Sequence, residues 1–102
     1  MISNSVKDMI PKIRQYFAGQ PITKAWLFGS CSRGEETKDS DVDILVTYDD
    51  SEAISLLTIS RMTITLAKIL NKKVDLVEDD CLLPFARKYV DNDKILIYER
   101  EN

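Results

Sequence analysis

The stretch LFGSCSRGEETKDSDVDILV, Leu27 to Val46, constrains the fold more than any other part of the chain. One apolar run ends at Gly29-Ser30. A charged, turn-rich segment follows from Cys31 to Ser40. A second apolar run then opens with Asp41 and Asp43 inside it. Short apolar runs bounded by turn residues read as strands. A carboxylate is costly in a buried strand unless something pairs it. Two of them, two residues apart, need a reason.

The flanking sequence sets those strands in an α/β order. SVKDMIPKIRQYFAGQP spaces Val6, Ile10, Ile13 and Phe17 at helical intervals. Pro11 falls inside that pattern, so the helix is expected to start near it or to kink. Gly19 and Pro21 end it. ITKAWLFG is the first strand, Ser30 to Ser40 is a loop with room for one helical turn, and DVDILVTY is the second strand. A long helix is expected to open at Asp50-Ser51, good capping residues. It places Leu56, Ile59, Met62 or Thr63, Leu66 and Ile69-Leu70 on one face and closes at Asn71 in the left-handed region. KKVDLVE is a third strand, CLLPFARKYV a short helix interrupted early by Pro84, and DKILIYE a last strand. The order αβ(α)βαβαβ predicts one α/β domain over residues 1–102, a mixed sheet of about four strands with helices packed on it.

Composition narrows the chemistry. The 102 residues suffice for one core and leave no room for a separate substrate domain. The net charge of −3 argues against general nucleic-acid binding, which needs a basic stripe. There is no histidine, which excludes histidine triads, histidine-ligated zinc and a histidine base. No apolar run is long enough to span a bilayer. The N-terminus lacks the basic head and apolar core of a signal peptide, so a cytosolic location with Cys31 and Cys81 as free thiols is expected.

Catalysis must then run on carboxylates, hydroxyls, Lys/Arg, backbone amides or a metal held by oxygen. In an extended strand Asp41 and Asp43 point the same way, with Cα atoms about 7 Å apart. Both can reach one shared ion or a pair of ions. Two anions this close repel unless a cation lies between them, and Mg²⁺ or Mn²⁺ suits hard oxygen ligands. Asp75 is a third carboxylate inside an apolar strand. It faces the same site if its strand pairs beside Asp41–Val46, a register that sequence does not settle. Gly29 allows close backbone approach, and the Ser30 hydroxyl with the N–H groups after it suits phosphate oxygens. Arg33, one turn on, reaches the same phosphates. Taken singly, each of these is more often a turn, a solvated strand end or a surface residue. Asp75 alone would pair with Lys72 or Lys73, and Asp49-Asp50 and Asp79-Asp80 would be solvated helix starts. Together, in this order, they describe a bound nucleoside triphosphate with its metal against the aspartates.

Gly29-Ser30, ten residues, then Asp41-Val42-Asp43 resembles the signature of the DNA polymerase β-like nucleotidyltransferase superfamily. The fuller string FGSCSRGEETKDSDVDILV is similar to its minimal nucleotidyltransferase (MNT) branch, and KKVDLVE resembles that branch's later strand with the third aspartate. Ser32 stands where alanine is common and Asn71 where glycine often stands; neither departure removes a catalytic group. The resemblance implies Asp41 and Asp43 as ligands of Mg²⁺ or Mn²⁺, and Asp75 as a further ligand or as the base near the attacking hydroxyl. It implies Gly29, Ser30 and Arg33 as holders of the ATP triphosphate.

MNT proteins often pair with HEPN-domain ribonuclease toxins as antitoxins. The resemblance therefore implies AMP transfer from ATP to a tyrosine of a HEPN partner, within a hetero-oligomer and without direct nucleic-acid or membrane contact. Two other readings stand beside it: an antitoxin that neutralises by binding alone, and a small-molecule nucleotidyltransferase, although that kind carries an extra helical domain. The N-terminal helix and the face around Leu82, Leu83 and Phe85 are candidate partner contacts.

Overall fold

The computed structural model describes residues 2–100. Helix α1 runs Asn4–Phe17, strand β1 Ile22–Phe28, the short helix α2 Ser30–Arg33 and strand β2 Val42–Tyr48. Helix α3 (Leu56–Leu70), strand β3 (Val74–Glu78), helix α4 (Pro84–Asp93) and strand β4 (Ile95–Glu99) follow, with a 3-10 turn at Asp79–Cys81 before α4. The strands form one sheet in the order β3-β2-β1-β4. β2 and β3 are parallel and the other pairs antiparallel, which is the expected mixed sheet of four strands.

Strand alternation divides the buried side chains between a main core on one face of the sheet and a smaller covered patch on the other. Val42, Ile44 and Val46 of β2 and Ala25 and Leu27 of β1 point to one face, where Val6, Met9, Ile13 and Phe17 of α1 and Met62, Leu66 and Leu70 of α3 cover them. Leu45 points to the opposite face and is also fully buried. Its ladder partner Trp26 lies beneath Lys94, whose Nζ is 4.9 Å from the ring centroid. The end of α4 therefore closes over part of this second face. Val90 is the buried residue of α4.

Three helix expectations need correction. α1 neither starts nor kinks into two pieces at Pro11; it begins after Ser3, whose hydroxyl accepts from the Val6 N–H at 3.2 Å, and runs through the proline. Pro11 cannot donate to Lys7, but both residues are exposed and water can take the freed carbonyl. α3 opens at Leu56, not at Asp50-Ser51, because Ser55 is the residue whose side chain accepts from the Thr58 N–H. Asp49 instead folds back on Ser51, accepting from its N–H at 2.9 Å and its hydroxyl at 2.7 Å. Leu56 is consequently 83% exposed, off the face it was expected to share. Pro84 does not interrupt α4; it starts it, where a missing N–H costs nothing. Asn71 does close α3, with φ 53° and ψ 43°.

Candidate active site

The site lies on the second face of the sheet, at the end where β1 finishes and β2, β3 and β4 begin. Asp43 is flanked by Val42 and Ile44, both buried in the main core, so alternation turns its carboxylate to the other side. The parallel ladder pairs Asp43 with Asp75. Val74 and Leu76 anchor β3 in the main core, and Asp75 therefore shares the face of Asp43. Asp75 has no ion-pair partner among the described residues. Lys72 turns away from it and donates to the Lys38 carbonyl at 3.2 Å.

Asp41 lies one residue before β2 and is exposed. Its backbone is held from both sides. The Cys31 thiol donates to its carbonyl at 3.7 Å, and the next N–H, of Val42, donates to the Lys73 carbonyl at 2.9 Å. The electrostatics tie the three acids together. Burial pushes the Asp43 carboxyl above its usual range, and the charges of Asp75 and then Asp41 push it further; Arg33 pulls it back.

Gly29 ends β1 with φ 73° and ψ −152°, a conformation open essentially to glycine. It also lies hard against the acid. A Cβ there would stand 2.5 Å from Asp43 Oδ2. The turn it opens is built by its own carbonyl, which accepts from the Ser32 hydroxyl at 2.7 Å and the Ser32 N–H at 3.1 Å. Gly34, with φ 72°, closes α2 by donating its N–H to the Ser30 carbonyl. Gly29, Ser30, Asp41, Asp43 and Asp75 thus surround one end of the sheet.

Arg33 is placed differently. Its Nε donates to Glu35 Oε1 at 2.6 Å and its Nη1 to Asp93 Oδ2 at 2.9 Å. It therefore bridges α2 to the end of α4.

Two residues here escaped sequence reasoning. Ser32, noted only as a departure from alanine, is buried and ties down the Gly29 carbonyl. Asp93 lies 60 residues from Arg33, with no local signal to connect them. Glu36 carries a buried Oε1 with no partner among the described residues. It stands near Cys31, whose thiol is pushed up by burial first and by Glu36 next. That shift keeps Cys31 a neutral packing residue.

The acid set suits a hard divalent cation. Asp41, Asp43 and Asp75 offer carboxylate oxygens only, lie at one sheet end and have no ion-pair partner among the described residues. As they stand, no three such side chains among the described residues are drawn in closely enough to hold an ion. The ladder sets Asp43 beside Asp75, and the like charges there repel without a cation between them.

The sheet thus carries Gly-Ser at the end of β1 and carboxylates on β2 beside it and on β3 next in order. The family model for polymerase beta nucleotidyltransferases matches residues 11–102, and the chain belongs to that family. It is 38% identical over 96 residues, 92% of this chain and 96% of the relative, to "Putative protein adenylyltransferase MJ1379" of Methanocaldococcus jannaschii. Its fold is similar to that of a solved structure described as a putative minimal nucleotidyltransferase, with TM-score 0.76 and 28% identity over 93% of this chain and 95% of the other. It is also similar in fold to a chain in the complex of a tri-AMPylated Shewanella oneidensis HEPN toxin with its MNT antitoxin. There the TM-score is 0.69 at 20% identity, covering 93% of this chain and 73% of that one. No helix among the described residues is long and apolar enough to cross a membrane.

Proposed function

We propose that this nucleotidyltransferase moves AMP from ATP onto a hydroxyl of a partner protein, a tyrosine of a HEPN-domain ribonuclease toxin, and so acts as its antitoxin. The observation that carries this reading is the pairing of Asp43 with Asp75 beside a glycine packed against Asp43. The three acids this reading assigns to the reaction lie at one sheet end. The adenylyltransferase names of the relatives and the AMPylated toxin in a structural neighbour support the choice of AMP and of a protein acceptor. Two free thiols, one buried and one exposed, fit a cytosolic setting.

Asp41, Asp43 and Asp75 would hold Mg²⁺ or Mn²⁺, which supplies charge neutralisation at the phosphates and a lowered pKa for the attacking hydroxyl. The chain's own residues then do the following. Gly29 lets the triphosphate approach the backbone beside Asp43. The Ser30 hydroxyl donates to a phosphate oxygen. Arg33 offers its guanidinium to the same phosphates. The acceptor oxygen attacks the α-phosphorus, pyrophosphate leaves, and the hydroxyl proton passes to a carboxylate or to water. Asp75 serves as ligand or as that proton acceptor. Positioning and charge supply most of the acceleration.

In this reading the partner supplies the acceptor hydroxyl, and exposed apolar side chains are available to meet it. Leu83 and Phe85, among the expected contacts, are 59% and 72% exposed. The test is to mix the chain with its HEPN partner, ATP and Mg²⁺ and to weigh the partner by mass spectrometry. An AMP adduct that disappears in Asp41→Ala/Asp43→Ala supports the reading; no adduct, or undiminished transfer by that variant, refutes it. The same exposed residues also favour neutralisation by occlusion. That reading wins if the double variant still silences the toxin without any adduct.

A further inference from the structure

We infer that Asp93 is the resting counter-ion of Arg33 and that a bound triphosphate takes its place, releasing the end of α4 when nucleotide binds. The inference rests on the reading that Arg33 meets the triphosphate, and it adds what that meeting displaces.

Arg33 is held by two carboxylates, Glu35 at 2.6 Å and Asp93 at 2.9 Å. Glu35 belongs to the same loop. Asp93 is the last residue of α4, and its bond to Arg33 is the one hydrogen bond between α2 and α4 among the described residues. The Arg33 side chain is 42% exposed, so the pair is a solvent-screened one that costs little to exchange. A triphosphate presents several charged oxygens in the fork geometry a guanidinium prefers, and competes well for the same N–H groups. The guanidinium already stands close enough to Asp43 to act on it.

What depends on the pair is the tie between α2 and the end of α4. Val90 is the buried residue of α4. Its other ties hold the helix to the preceding turn (Arg87 to Asp79), to itself (Arg87 and Lys94 to Asp91) and to β1 (Lys94 over the Trp26 ring), and none reaches α2. Phe85, Tyr89 and Asp93 follow at intervals of four and share one face. Phe85 and Tyr89 are 72% and 71% exposed. Freeing Asp93 therefore changes how this apolar stripe is held, and a protein that binds the stripe can sense whether the site is loaded.

The test is a double-mutant cycle on binding of Mg²⁺ with a non-hydrolysable ATP analogue, measured by calorimetry. If the wild type binds no analogue at all, the nucleotide reading fails and this inference fails with it. If it binds, Asp93→Asn should tighten Kd about three- to fivefold, the worth of an exposed ion pair. Asp93→Glu, which restores the charge, should return the wild-type value. In an Arg33→Ala background Asp93→Asn should change nothing. An unchanged Kd for Asp93→Asn, or the same gain without Arg33, overturns the exchange while leaving nucleotide binding standing. Hydrogen exchange supplies a second readout. Amides of residues 84–93 should exchange faster in the wild type with analogue than without, and in Asp93→Asn should be fast in both states. Equal protection in all four samples overturns the release of α4.

Discussion

At the residue scale, Asp43 and Gly29 form one unit. Asp43 is half-buried and faces two like charges, so its ionised form is penalised in the fold. A folded pKa above the usual carboxylate value means stability is lost as pH rises from the unfolded value through the folded one. Asp43→Asn should therefore raise Tm in metal-free buffer, by about 2–5 °C for a domain of this size, while abolishing AMP transfer. Mg²⁺ should raise the Tm of the wild type and leave that of the variant unchanged; a fall in metal-free Tm for Asp43→Asn would refute the account. Gly29→Ala meets both a positive φ and a Cβ 2.5 Å from Asp43 Oδ2. It should cost about 1–3 kcal/mol of stability and lower transfer at least tenfold, as an activity assay beside a denaturant melt would show.

At the element scale, the helices differ in how firmly they are held. α1 buries four residues and α3 three, whereas α4 buries Val90. Native-state hydrogen exchange should find α4 opening well before β1 and β2, which are buried on both faces around Leu45. Capping is equally specific. Ser55→Ala removes the acceptor of the Thr58 N–H and should destabilise by about 1 kcal/mol in urea melts. The structure explains why the expected cap at Asp50-Ser51 is not used. Asp49 and Ser51 satisfy each other in a tight turn, and only from Leu56 is the chain aligned to lay Met62, Leu66 and Leu70 on the sheet. Amphipathic spacing made α3 legible, but local hydrogen bonding decided its start.

At the scale of the whole molecule, Arg100 ties the C-terminal end to the β2–α3 turn. Its Nη1 donates to Asp49 Oδ2 at 2.5 Å, its Nη2 to the Gln20 carbonyl at 2.7 Å and its N–H to the Thr23 carbonyl at 2.8 Å. The Ser51 hydroxyl and N–H, with Arg100, pull the Asp49 carboxyl down to about 2. A lowered folded pKa gives stability that is present above the unfolded value and lost as pH falls through the folded one. The loss should fall between about pH 4 and 2. Asp49→Asn should flatten that part of the Tm–pH curve, and an unchanged acid limb would count against the pairing.

The order of elements, the strand–Gly-Ser–strand passage and the acids at Asp41, Asp43 and Asp75 are legible in the amino-acid sequence, because alternation and turn chemistry are encoded by near neighbours. The β2–β3 register is not. It depends on how α3 packs and how far it carries the chain before β3 begins, and a shift of one residue would send Asp75 into the main core. Nor is the pairing of Arg33 legible there, since its partner Asp93 arrives from the far side of two strands and two helices. Local sequence determined which groups are available at this end of the sheet. Tertiary packing alone decided which of them meet, because only the assembled layers set distances between residues remote in the chain.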